Sequence, residues 1–168
     1  GVTDVAIDPH DPNIVYLQTQ EGNLSRLDLT TDRRTPIRLT AQNSKGGPSV
    51  VAGGDGTQGA GPTRSARTRF GRWHWDSPLV TSAHVARRLY YAGERVYRSD
   101  DRGDSWIAIS GDLTHQLDPS TIPVMGKVWP LDSVAYNQAT TTLSTITALD
   151  ESPLLEGLIY VGTDDGLV

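Results

Sequence analysis

The chain has 168 residues, 36% of them hydrophobic and 21% charged, which is enough apolar material for one packed domain and too much for a chain disordered throughout. It contains no cysteine, which excludes disulfides, thiolate catalysis and cysteine-ligated zinc, and no run approaches the roughly 20 apolar residues of a membrane-spanning helix. A net charge of −5 argues against a nucleic-acid partner: the eight arginines between Arg64 and Arg98 stand against only Asp76 and Glu94, but arginines alternating along exposed strands make an ordinary solvated face.

Residues 1–8 hold no charged-then-apolar signal peptide. The chain lacks an initiator methionine and stops in the apolar pair Leu167-Val168, so it is expected to be a segment of a longer protein. In chain order, the first unit is a strand at Val5-Ala6-Ile7, a turn at Asp8-Pro9-His10-Asp11-Pro12-Asn13, a strand at Ile14-Val15-Tyr16, and a return through Glu21-Gly22-Asn23 into a strand over 24–29. Asp-Pro and Glu-Gly divide short alternating strands here, which is the grammar of hairpins. Residues 42–70 are rich in Gly, Ser, Thr and Pro and read as a long loop.

A second unit starts at Pro78-Leu79-Val80 and passes Leu89-Tyr90-Tyr91 and Val96-Tyr97-Arg98. Residues 115–142 form a second insertion, whose apolar groups Val124-Met125 and Val128-Trp129 are expected to pack against a face. The third unit runs from Ile146-Thr147-Ala148-Leu149 to Leu158-Ile159-Tyr160-Val161 and Thr163-Asp164-Asp165-Gly166. Tyr16, Tyr91 and Tyr160 match in position. Units of four short antiparallel strands, roughly 40 to 45 residues each before insertions, describe propeller blades, which must stack on neighbours to bury both faces. The expected fold is therefore all-β, a β-propeller fragment of about two to three four-stranded antiparallel blades with long loop insertions. Its parts are a blade at about 1–41, a loop insertion at about 42–70, a blade at about 71–114, a second loop insertion at about 115–142 and an incomplete blade at about 143–168.

The sharpest motif is Ser99-Asp100-Asp101-Arg102-Gly103-Asp104-Ser105-Trp106, which fits Ser-x-Asp-x-Gly-x-x-Trp. The hydroxyl and carboxylate can cap backbone amides, the glycine permits positive φ, and the tryptophan anchors the returning strand. This motif resembles the Asp-box, or bacterial neuraminidase repeat, of sialidases, xyloglucanase-like hydrolases and sortilin-type propellers. Arg72-Trp73-His74-Trp75-Asp76-Ser77-Pro78, Tyr90-Tyr91-Ala92-Gly93, Ile109-Ser110-Gly111-Asp112-Leu113-Thr114 and Val124-Met125-Gly126-Lys127-Val128-Trp129 are similar to a bacterial glycosyl-hydrolase-like or sortilin-like subgroup, as are Glu151-Ser152-Pro153-Leu154 and Tyr160-Val161-Gly162-Thr163-Asp164-Asp165-Gly166. The resemblance implies export to a secreted or periplasmic compartment, and it implies that Ser99, Asp101, Gly103 and Trp106 are structural.

No catalytic set is legible. A glycosidase needs two carboxylates across a sugar, or an arginine cluster with a tyrosine nucleophile, drawn from separate blades, whereas Arg64, Arg67, Arg69 and Arg72 share one loop. The expected function is a non-catalytic scaffold that presents a protein- or glycan-binding surface at Trp73, His74, Trp75, Asp76 and Trp129, with neighbouring blades of the parent chain as further partners. The alternative is part of a glycoside hydrolase to which Asp76 or Asp132 contributes a carboxylate. No cofactor and no metal is expected. Gly54-Asp55-Gly56-Thr57-Gln58-Gly59 fits Gly-x-Gly-x-x-Gly, but Gly61-Pro62 blocks the helix that a dinucleotide site requires. Asp8, His10 and Asp11 read first as a turn, and Asp164-Asp165-Gly166 lacks the further oxygens of a calcium loop.

Overall fold

The computed structural model describes residues 1–46, 71–130, 132–133 and 142–168. The glycine run at 54–59, Arg64, Arg67 and Arg69 lie outside the described residues. Within those residues the chain is all-β, with no α-helix and a single 3-10 turn at Pro119–Thr121. The first sheet is an antiparallel meander of β1 (Val2–Ile7), β2 (Ile14–Thr19), β3 (Asn23–Asp28) and β4 (Arg33–Pro36). In the middle sheet β6 (Leu79–Thr81), β7 (Leu89–Ala92), β8 (Val96–Ser99) and β9 (Trp106–Ala108) form a second meander. Its outer edge is extended by β5 (Ser44–Lys45), which runs parallel to β9. The third sheet is the hairpin of β10 (Ile146–Glu151) and β11 (Ile159–Thr163). None of the three sheets closes on itself.

Turn chemistry fixes these strands. Between β2 and β3, Glu21 and Gly22 both take positive φ (60° and 74°) and the Asn23 amide returns to the Gln20 carbonyl, which is the turn that suits the twist of a tight hairpin. The first turn of each sheet repeats one hydrogen-bond pattern. Asp8, Ser82 and Ser152 donate their amides to the carbonyls of Ile14, Arg88 and Leu158 at 3.0, 3.0 and 2.8 Å, and the amides of those three return to the carbonyls of Asp11, Val85 and Leu155. The leading side chain closes each turn: Asp8 Oδ1, Ser82 Oγ and Ser152 Oγ accept from the amides of His10, His84 and Leu154.

Strand pairing continues in the same register, with Ala6 opposite Tyr16, Val80 opposite Tyr90 and Asp150 opposite Tyr160. The three sheets are thus built on one unit, used three times. Tyr16 and Tyr160 correspond to Tyr90, not to Tyr91 as the aromatic runs suggest, and a slip of one residue exchanges the faces of a strand.

That exchange decides the packing. Leu89, Tyr91 and Tyr97 face the first sheet and join Ile14, Tyr16 and Leu24 in the main core, while Tyr90, Ala92 and Val96 face the third sheet and pack on Ile146, Leu149 and Ile159. Strand β7 buries both faces, which accounts for an unbroken Leu-Tyr-Tyr-Ala without polar alternation. The leading strands are also neighbours, since β1 lies against β6, and β10 against β6 and β7.

Candidate functional site

The meanders have two ends. One carries the turns at 8–14 and 82–88 together with the turn of the Ser-x-Asp-x-Gly-x-x-Trp motif; the other carries the turns at 19–23 and 92–96 together with the approach to β6 at 71–78.

At the first end, Ser99 Oγ donates to Asp101 Oδ1 (2.8 Å) and accepts from the Gly103 amide (2.8 Å). Asp101 accepts from both the amide and the hydroxyl of Ser105 (2.8 and 2.6 Å). Partial burial pushes the Asp101 carboxyl up, but the bonds from Ser105 and Ser99 outweigh it and hold the group below the usual carboxylate range. Arg102 and Gly103 both take positive φ (62° and 91°), and a Cβ on Gly103 would stand 2.5 Å from Ile37 Cδ1. Trp106 is buried, with Nε1 donating to the Ile37 carbonyl (3.0 Å), so the motif ties the middle sheet to the first.

Arg102 completes that tie. Its Nε and Nη2 donate to Asp8 Oδ2 and Asp11 Oδ2 at 3.2 and 3.0 Å, so a guanidinium lies between the two carboxylates of the 8–13 turn. His10 contributes only its amide, to Asp8. Burial and the Asp8 carboxylate together raise the Tyr16 hydroxyl above its ordinary range. A cleft of about 210 Å³ opens beside this turn, lined by Ile14, Arg26, Asp28, Arg33, Thr35 and Arg102. Two of its three arginines are already neutralised, Arg26 by Asp104 (3.1 Å) and Arg102 by Asp8 and Asp11, which leaves little field for an anion.

The second end holds the expected ligand residues, and the structure separates them. Trp73 is not on the surface: it is buried in the core, stacked on Tyr91 and Tyr97 with ring centroids 4.9 and 5.9 Å away. A Cβ on Gly22 would stand 2.5 Å from the Trp73 ring, so that turn must pass close to the indole. The next residues form a tight polar turn. His74 Nδ1 lies 3.0 Å from the Asp76 amide and 3.1 Å from the Asp76 carbonyl oxygen, and Ser77 Oγ donates to the His74 carbonyl (3.1 Å). Trp75 is 42% exposed on this turn, its carbonyl accepting from the Glu21 amide (3.3 Å), and Asp76 is exposed beside it.

Trp129 belongs to another element. Met125 and Gly126, both at positive φ, close a two-residue turn between Val124 and Lys127; Trp129 Nε1 donates to the Val124 carbonyl (3.1 Å) and Lys127 Nζ lies 4.5 Å from the indole centroid. Val124, Met125, Val128 and Trp129 are exposed, which corrects the expectation that they pack against a face. Asp132 is exposed as well.

The sequence motifs contain most of the residues that organise this end but not their pairing. The Arg72 guanidinium donates to Asp112 Oδ2 (2.6 Å), Thr114 Oγ1 (3.0 Å) and the Ser144 carbonyl (3.2 Å), while its amide donates to the buried Glu94 (2.6 Å). Partial burial raises the Asp112 carboxyl, but the bonds from Thr114 and Arg72 bring it below the usual range. Asp164 accepts from the amide and hydroxyl of Thr145 (2.8 and 2.9 Å), and Asp165 accepts from Thr163 Oγ1 (2.6 Å) and the His115 amide (2.8 Å). These carboxylates accept from protein donors.

Thr163 also accepts from the Leu167 amide (2.9 Å), so the relations of Thr163, Asp165 and Leu167 copy those of Ser99, Asp101 and Gly103. Among the described residues no group of three or more His, Asp or Glu side chains is gathered to hold a metal ion. Within the described residues, fold and site together define an all-β chain of stacked antiparallel sheets with exposed tryptophans at Trp75 and Trp129. No family model, curated protein or solved structure matches it.

Proposed function

We propose that the chain is part of an Asp-box β-propeller, exported from the cell, that serves as a recognition scaffold and binds a glycan or protein ligand without catalysis. Three sheets on one register, stacked face to face with their leading strands adjacent, support the propeller reading. The observation that carries the recognition reading is the exposed Trp75 on a turn held by hydrogen bonds, with His74 and the exposed Asp76 as its chain neighbours. An indole face stacks on the apolar face of a sugar ring while an imidazole nitrogen and a carboxylate pair with hydroxyls, so a glycan fits this chemistry best. Trp73 drops out of the binding surface, and Trp129 stands as a separate exposed aromatic. The test is glycan-array binding with a hydrolysis assay on every hit and a Trp75→Ala control. Binding that is lost in the control, without cleavage, is the expected result; cleavage would replace this reading with a glycoside hydrolase.

A further inference from the structure

Of the four asparagines in the chain, Asn13, Asn23, Asn43 and Asn137, only Asn23 has a hydroxyl residue two positions on. Asn23-Leu24-Ser25 fits Asn-x-Ser with a residue other than proline between, the acceptor pattern for an N-linked glycan. A three-residue pattern recurs by chance, so its place in the fold decides. Asn23 opens β3 directly after the two-residue turn of Glu21 and Gly22, at an end of the first meander. Strand alternation then separates the three residues: Leu24 is 2% exposed in the main core, Asn23 is exposed and Ser25 is half-buried. The middle sheet packs against the first and still leaves Asn23 in solvent.

The hydrogen bonds leave the acceptor atom usable. An asparagine amide nitrogen carries two hydrogens. Asn23 Nδ2 gives one to the Gln20 carbonyl (2.8 Å), and the other has no acceptor among the described residues. Asn23 Oδ1 accepts from Arg38 Nη1 (3.1 Å), and Ser25 Oγ accepts from Arg34 Nη2 (3.1 Å) and keeps its own proton. A sugar that replaces the second amide hydrogen therefore breaks no bond of the turn.

We propose that Asn23 is the attachment site of an N-linked glycan. Its amide nitrogen attacks the anomeric carbon of an oligosaccharide carried on a lipid pyrophosphate. The bond from that carbon to the phosphate oxygen breaks with its electron pair left on the pyrophosphate, and one amide hydrogen leaves as a proton. An oligosaccharyltransferase supplies the active site, and this chain supplies the acceptor. The inference rests on the export reading, because the transfer takes place on the exported side of a membrane, and not on the Trp75 turn.

Secretion of the whole chain from a eukaryotic cell behind a signal peptide tests it. Export is then imposed, so a failed acceptor is told apart from a failed export reading, which fractionation of the natural source checks separately. The intact mass is expected to exceed that of the sequence by one glycan, and peptide:N-glycosidase to remove the excess and leave an aspartate at that position. Asn23→Gln and Ser25→Ala are each expected to abolish the added mass, and Ser25→Thr to retain it, with circular dichroism showing the same fold in all three. A secreted, folded chain with the mass of the bare sequence, or an added glycan that survives Asn23→Gln, would overturn the proposal.

Discussion

Arg102 Nε lies 3.2 Å from the buried carboxylate of Asp8, so the turn at the end of β8 is tied to the first turn of the neighbouring sheet. Arg102 holds a positive φ of 62° to make this contact, and its carbonyl accepts from Arg26 Nη1 (2.9 Å). Removing the guanidinium leaves Asp8 buried without its charge partner. Arg102→Ala is expected to destabilise the chain by about 2 kcal/mol, below the full figure for a buried pair because Arg102 is partly in water. Arg102→Gly is expected to be milder than alanine by about 1 kcal/mol, since glycine accepts the left-handed backbone at no steric cost. Urea melts at one fixed protein concentration check both, and equal stability of the two variants would show that the backbone carries no strain there.

The motif turn itself gives a second expectation. Ser99→Ala strips the Gly103 amide of its acceptor and Asp101 of a donor, at a cost of about 1 to 2 kcal/mol. Gly103→Ala must both hold φ at 91° and place a methyl group against Ile37, so it is expected to cost more, about 2 to 4 kcal/mol. The same melts rank the two, and a Gly103→Ala chain as stable as the parent would mean that Ile37 yields freely.

Acid should weaken the fold through Asp101 and Asp112. Both carboxyls titrate below the usual range when folded, so as the pH falls the unfolded chain takes up their protons first. Their contribution is complete above the unfolded value, about 4, and is lost as the pH drops through the lower folded values. Thermal melts between neutral pH and strong acid are expected to show that loss, and Asp101→Asn to flatten it. A parent chain with unchanged stability across that window would contradict the assignment.

What the sequence disclosed depends on how local the physics is. The Ser99 turn was legible because its hydrogen bonds join residues within a few positions of one another, as were the short strands divided by Asp-Pro and Glu-Gly turns. The equivalence of Tyr16 with Tyr90 was not, because Tyr90 and Tyr91 are identical in type and only the amide pairing of Ser82 with Arg88 decides which faces which sheet. The role of Arg72 was not legible, although the residue itself stands in the motif 72–78: its partners Glu94, Asp112, Thr114 and Ser144 are distant in sequence and meet only in the folded chain.

Trp73 and Trp75 are two residues apart and should behave as different kinds of residue. Trp73 stacks on Tyr91 and Tyr97 in the interior, and the Gly22 turn passes against its ring, so no neighbour can fill the space it leaves. Trp73→Ala is expected to cost about 3 to 5 kcal/mol, as cavity formation beneath a large aromatic residue does. Trp75 is largely exposed, and the His74, Asp76 and Ser77 bonds hold its turn. Trp75→Ala is therefore expected to change stability by less than about 1 kcal/mol while abolishing glycan binding. Parallel urea melts and binding assays separate the two positions. If Trp75→Ala instead unfolds the chain, the indole is part of the core and the recognition surface lies elsewhere; if it folds and binds unchanged, the ligand does not use this turn.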